Sequence, residues 1–407
     1  MRPSGNRPQR RQRSLLHRAR RGRHRNHEFH EVKHVALLLH LYQPPTQDPD
    51  VLRRIDGECY APLAEMLLDT GASVTLNINY SLTTQLASLR PSTLETLSKA
   101  RGWELCTSGA FHPILPLVPA GETERQIRLN TEGNAAHLPG REVRGVFPPE
   151  MAWDPSLAGL LSGMGLSWAA ADDIPWVHSG REAPWGWIPV DNGLPVILRS
   201  NFWSNRIAFH ESEGGVTAAR IVEGMRRWTG DSDAYLLIAL DGETFGHHRR
   251  GGIERFLRPF VEGLDRIEGA RLSTISEIVS LFPLREASVP AGSWSTTPAD
   301  LERGLPWPLW DDPSNADHMA LRSLRDMVLA WARRCTGTGV AALADRMLYS
   351  CPFWWATPGR YDAVQVRRGV GAMLEAAMAA HSETGDRKTM DRVLDAAGAV
   401  PSMHRRG

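Results

Sequence analysis

The chain reads as an α/β protein: a (β/α)7 barrel followed by a C-terminal α-helical bundle. Short, continuously apolar runs alternate with helix-like segments, and nearly all of these runs end on a polar residue able to do chemistry. Beyond Phe282 the alternation stops and only helical patterns remain. Continuous rather than alternating hydrophobicity marks strands covered on both faces, as in a parallel sheet with crossover helices.

The runs occupy residues 35–39, 74–78, 103–106, 142–147, 166–171, 196–198 and 235–240. Helices are expected between them at 61–68, 82–89, 122–135, 155–164, 218–228 and 253–267. An open doubly wound sheet would satisfy the same alternation. What each run leads into separates the two. The runs end in His40, Asn79, Ser108, Glu150, Asp172 with Asp173, Arg199 and Asp241. Barrel active sites assemble at the carboxyl ends of the strands, and a closed ring gathers all these residues around one mouth. An open sheet would leave the outer ones too far apart to cooperate. After Phe282 come Trp294, Trp307 and Trp310, a Pro/Asp-rich link, and helical spacing at 319–333, 340–348, 364–380 and 387–397.

Three segments follow: 1–33 as an Arg-rich disordered tail, 34–285 as the barrel, and 286–407 as a helical domain completing the cleft. The first 30 residues hold ten arginines with almost no apolar periodicity, so they cannot bury a core. Arg10, Arg11 and Arg13 resemble a twin-arginine signal, but only Leu15 and Leu16 follow, and a signal needs a longer apolar stretch. A formal net charge of +1 provides no global field for nucleic acid or an anionic membrane, and no apolar run is long enough to span a bilayer. Cys59, Cys106, Cys335 and Cys351 form no C-x-x-C pair, so reduced thiols and a cytoplasmic location are expected, with no metal and no cofactor. Oligomeric state is not legible.

Two carboxylates stand out. Glu150 emerges from a strand end between Phe147-Pro148-Pro149 and Met151-Ala152-Trp153, a stiff setting for a side chain. Asp241 closes the most apolar strand and opens Asp241-Gly242-Glu243-Thr244-Phe245-Gly246-His247-His248. Partial desolvation there would raise its pKa toward that of a general acid, and Glu243 would tune it. A helix N-cap is the ordinary alternative role for such an Asp. His40 and His112 sit in His40-Leu41-Tyr42-Gln43-Pro44 and Phe111-His112-Pro113, where imidazole and amide groups can hydrogen-bond sugar hydroxyls. Fourteen tryptophans, Trp153, Trp294, Trp354 and Trp355 among them, offer flat faces on which pyranose rings stack.

These motifs, in this order, resemble glycoside hydrolase family 57. Its His followed by Gln-Pro is matched by His40 to Pro44, its His-Pro region by Thr107 to Leu117, its aromatic-Pro-Glu by Phe147 to Glu150, and its Asp-x-Glu-x-x-Gly by Asp241 to Gly246. The resemblance covers residues 34–356. It implies a (β/α)7 barrel with a helical bundle, oligo- or polysaccharide substrates of the α-glucan type, and a retaining mechanism without metal. Glu150 takes the position of the nucleophile and Asp241 that of the acid/base. His40, Gln43, His112, Trp153, Asp172, Asp173, Glu243, His247, Trp294, Trp354 and Trp355 are the expected substrate-binding residues. Two other readings stay open. One is a metal-dependent carbohydrate deacetylase using Asp172, Asp173, His247 and His248; the other is a non-catalytic glucan-binding protein.

Overall fold

The computed structural model describes residues 31–403; the expected Arg-rich tail lies outside the described residues except at its end. Ten strands form one sheet: β1 Lys33–Leu41, β2 Thr75–Ile78, β3 Glu104–Thr107, β4 Val143–Val146, β5 Trp168–Asp172, β6 Ile188–Asp191, β7 Leu194–Arg199, β8 Ala234–Asp241, β9 Ala270–Leu272 and β10 Leu284–Glu286. Seven of them close a parallel ring in the order β8-β1-β2-β3-β4-β5-β7, and a β7 to β8 pairing completes it. These are the seven apolar runs of the sequence. Every residue of β1 is buried, as its continuous KHVALLLHL run requires of a strand covered on both faces.

The other three strands lie outside the ring. β6 pairs antiparallel with β7 through the tight turn Asn192-Gly193, both residues at positive φ (45° and 81°), the conformation that an Asn-Gly hairpin provides. β10 adds to β6, and β9 adds to β1. Helices expected around the barrel occur at Ala61–Thr70, Tyr80–Leu89, Ala120–His137, Ser156–Gly163 and Gly214–Thr229. The continuous helix expected over 253–267 is instead a π-helical turn, Ile253–Leu257, followed by Arg258–Asp265. Pro259 has no N–H to continue the ladder, so the α-helix starts afresh there.

The C-terminal helices are Ala316–Ala332, Thr338–Arg346, Cys351–Trp354, Ala363–Thr384 and Arg387–Gly398. Their core, built on Leu321, Leu324, Val328, Val366, Val370 and Met373, also takes in Ile114 and Ala152 from loops beyond β3 and β4. The bundle therefore packs on the carboxyl-terminal mouth of the barrel. Arg333 reinforces the join, donating to both Glu122 oxygens at 2.7 Å and to Asp345 at 2.5 Å.

Candidate active site

Past β4 the chain enters the 3-10 turn Pro149–Met151, where Glu150 (φ 60°) and Met151 (φ 49°) occupy the left-handed region. Each such non-glycine residue costs about 1–3 kcal/mol, held by the surrounding structure. Here the neighbours are rigid. Trp294 N–H donates to the Glu150 carbonyl at 3.1 Å, and Met151 N–H to Pro148 O at 2.7 Å. The Trp294 indole Nε1–H then donates to Glu150 Oε2 at 2.7 Å.

Asp241 ends β8 directly opposite His40 on β1. It precedes the turn Gly242–Phe245, yet its side chain makes no capping bond, so the ordinary N-cap role does not apply. The two glycines of the motif are spatial necessities. A Cβ on Gly242 would lie 2.2 Å from Leu41 Cδ2, and one on Gly246 would lie 2.1 Å from Glu58 O. At Gly246 the obstacle is the backbone of the 56–60 turn, whereas at Gly242 the Leu41 side chain would have to shift. Between them Glu243 is buried, accepting from Tyr60 Oη, from Gln43 Nε2 at 3.3 Å and from Tyr42 N at 3.3 Å.

Burial dominates the electrostatics. It pushes Glu150 up to about 8, assisted by the charge of Asp241 and opposed by the Trp294 hydrogen bond and the Arg360 guanidinium. Asp241 is pushed up to about 6 by burial, with Arg199 pulling it back. Glu243 rises to about 8, again by burial and then by Asp241.

A directional hydrogen-bond chain runs beside the carboxylates. Asn77 Nδ2 donates to the Cys106 and Thr107 carbonyls, which leaves its Oδ1 as acceptor for His40 Nδ1–H at 2.6 Å. His40 Nε2 is then an acceptor, so His112 must donate Nε2–H to it at 3.1 Å, and Ser350 Oγ–H donates to His112 Nδ1 at 2.9 Å. Both rings are neutral in this scheme. Burial agrees, lowering His40 to about 4 and His112 further below its ordinary value. His40 stacks on Phe147 at 4.6 Å and Tyr42 on His112 at 4.0 Å. All four ring nitrogens are thus taken, and a sugar hydroxyl reaches His40 or His112 only by opening one of these bonds.

The expected binding residues divide in two groups. Gln43, Glu243, Trp294, Trp354 and Trp355 lie with or around the carboxylate cluster or in the bundle segment that carries Ser350 and Cys351, and Trp354 meets Trp355 edge-on at 4.3 Å under the Arg360 guanidinium. Trp153 is corrected: at 1% exposure it is core, packed with Leu115, Leu157 and Val289, its Nε1–H spent on Val289 O. No indole face is left for a sugar. His247 is held by Glu58, its Nδ1 bonded to that carboxylate at 2.7 Å. Asp172 is buried in an ion pair with Arg199 at 2.5 Å, and Asp173 accepts from Asn201 N at 3.1 Å while burial and Asp172 push it to about 7. No cluster of three or more His, Cys, Asp or Glu that could hold a metal ion occurs among the described residues, so Asp172, Asp173, His247 and His248 are not gathered as a deacetylase ligand set.

Several residues of the site were not anticipated: Tyr60, Asn77, Arg199 in its contact with the cluster, Ser350, Cys351 and Arg360. Cys351 Sγ lies 3.4 Å from Tyr42 Oη. Their partners are between 17 and 309 residues away in sequence, and only the strand-end positions of Asn77 and Arg199 carry a local signal.

A closed seven-stranded parallel barrel, with two half-buried carboxylates at its carboxyl-terminal mouth and a helical bundle laid over that mouth, is the class of protein defined here. The chain belongs to glycosyl hydrolase family 57, whose profile matches residues 16–290. It is 27% identical over 167 residues to an α-amylase of Pyrococcus horikoshii, covering 39% of this chain and 26% of that protein. It is 23% identical over 266 residues to a 4-α-glucanotransferase of Thermococcus litoralis, covering 61% and 38%. The matches thus span only about a quarter to two fifths of these relatives. The fold is similar to the crystal structure of the Thermococcus litoralis 4-α-glucanotransferase (TM-score 0.71, 18% identity, 85% of this chain and 60% of that one). It is also similar to a family 57 branching enzyme of Pyrococcus horikoshii (TM-score 0.70, 15% identity, 90% and 94%).

Proposed function

We propose that this protein is a retaining glycoside hydrolase or transglycosylase acting on α-glucans by double displacement, with Glu150 as nucleophile and Asp241 as acid/base. The observation that carries the reading is the placement of Glu150, in the turn after β4, and Asp241, at the end of β8, at one barrel mouth, with Trp294 holding the first and Glu243 beside the second. Two carboxyl groups at one site, one as anion and one holding a proton, are what a nucleophile and an acid flanking one glycosidic bond require. Glu150 would attack the anomeric carbon while Asp241 protonates the leaving oxygen. Asp241 would then deprotonate water or an acceptor hydroxyl.

Burial and the charge of Asp241 favour the protonated form of Glu150, whereas attack needs its anion. An electron-poor anomeric carbon beside Glu150 favours its anion, and the Trp294 N–H supports the same state. Four free cysteines, two of them fully buried, support a reducing, cytoplasmic setting.

The test is incubation with maltooligosaccharides and chromatography of the products. Chain lengths shortened or redistributed by the wild type, and unchanged by Glu150→Ala and Asp241→Ala, are expected. Binding with no turnover would make it a non-catalytic glucan-binding protein.

A further inference from the structure

The ring closes through one ladder pair, Arg199 of β7 with Leu237 of β8. Beyond it, side chains replace the missing ladder. Arg199 Nε donates to Ala239 O at 2.7 Å, and Ser204 Oγ accepts from Ala239 N at 3.2 Å. Ala239 stands two residues before Asp241, so the two share one face of β8. The rest of the guanidinium is equally committed: Nη1 to Asp172 Oδ2 at 2.5 Å, Nη2 to Asn205 Oδ1 at 3.0 Å, and its carbon 5.7 Å from the centre of the Trp294 ring. Trp294 is the residue that holds Glu150 by both backbone and indole.

We propose that Arg199 is a positioning residue for both carboxylates, presenting Asp241 through the β8 backbone and Glu150 through the face of Trp294. The inference rests on the reading of these two groups as the working carboxylates. The groups facing Asp241 are His40 from β1, Glu150 from the turn after β4, Glu243 from its own turn, and Arg199 from β7 with Asp172 of β5 behind it. His40 is neutral, so Arg199 is the cation among them. A fork of fixed geometry supplies both the charge and the bond to Ala239, which lysine cannot reproduce. A mere seam staple would affect stability and leave the ionisation of Asp241 where it was.

The two roles separate in the full-length protein with Arg199→Lys and with the double variant Arg199→Met/Asp172→Asn, which avoids stranding a buried Asp172 charge. Difference infrared titration, with Asp241→Asn as the subtraction, reads the Asp241 carboxyl directly and needs no turnover. The double variant should move its midpoint up by about 1–3 pH units, as loss of a neighbouring cation does. The lysine variant should keep the midpoint within a few tenths of a unit yet lose at least about tenfold in kcat, because the Ala239 bond and the Trp294 contact are gone. A folded double variant with an unmoved midpoint would overturn the proposal. A moved midpoint in a protein whose wild type turns over no glucan would support the Arg199 relationship and overturn the proposed function.

Discussion

Trp294 holds Glu150 from two sides, its backbone N–H on the Glu150 carbonyl at 3.1 Å and its indole N–H on the carboxylate at 2.7 Å. A residue 144 positions later in the chain thereby fixes both the left-handed backbone and the rotamer of the proposed nucleophile. Replacing Trp294 by Phe keeps most of the ring and removes the donor. A hydrogen bond to a charged group is worth about 1.5–3 kcal/mol, so kcat should fall roughly tenfold to a hundredfold. The pH at which Glu150 ionises should rise, because the lost bond favoured the anion. Steady-state kinetics across pH measure both effects, and an unchanged profile would show that the indole contact does not govern Glu150.

The activity profile of the wild type should be bell-shaped. Asp241 titrates near 6 and Glu150 near 8, and only the pair holding one proton is competent. Below about 6 both are protonated and attack fails; above about 8 both are ionised and no acid remains. Initial rates from pH 4 to 10 check this, and a rate still rising above pH 9 would contradict it.

Stability follows from the same shift, with a definite sign. The Glu150 pKa rises from 4.5 in its ordinary state to about 8 when folded, so the unfolded chain ionises first. The folded state is therefore progressively disfavoured as pH rises from about 4.5 to about 8. Glu150→Gln keeps an acceptor for Trp294 and cannot ionise. Its melting temperature should match the wild type near pH 4.5 and exceed it increasingly toward pH 8. A constant difference across that range would remove the shifted ionisation from the account.

Gly242→Ala should damage both fold and turnover. The added Cβ meets Leu41 Cδ2 at 2.2 Å, so Leu41 or the turn carrying Asp241 must move. Overpacking of this kind costs about 1–3 kcal/mol, readable by denaturant titration. Gly159→Ala, on a helix where a Cβ meets nothing within 4 Å, is the control expected to leave both properties in place.

Much of this was legible in the sequence because strand burial and strand ends leave local signatures. The seven ring strands coincide with seven apolar runs, and Glu150 and Asp241 stand where two of those runs stop. Helices such as Pro49–Ile55, Pro91–Lys99 and Asn201–Phe209 were not legible, because they are short and mix buried with exposed polar residues. Asn192-Gly193 is itself a local hairpin signal, with both residues at positive φ. An aromatic beside Glu150 suggests a sugar platform, whereas the Trp153 ring lies in the core with its Nε1–H on Val289 O. Ser350 on His112, and Trp294 on Glu150, are contacts across 238 and 144 residues, set by how the bundle seats on the barrel and by no local pattern.

The roles of Glu150 and Asp241 are tested most directly by the stereochemistry of azide rescue on an activated aryl α-glycoside. Glu150→Ala should lose several orders of magnitude in rate, since no glycosyl intermediate forms. Azide entering the vacancy should restore turnover in one displacement and yield the inverted β-glycosyl azide. Asp241→Ala keeps the first step with a good leaving group, so azide should intercept the intermediate and yield the retained α-glycosyl azide. Inverted product from Asp241→Ala and retained product from Glu150→Ala would contradict the assignment and exchange the two roles.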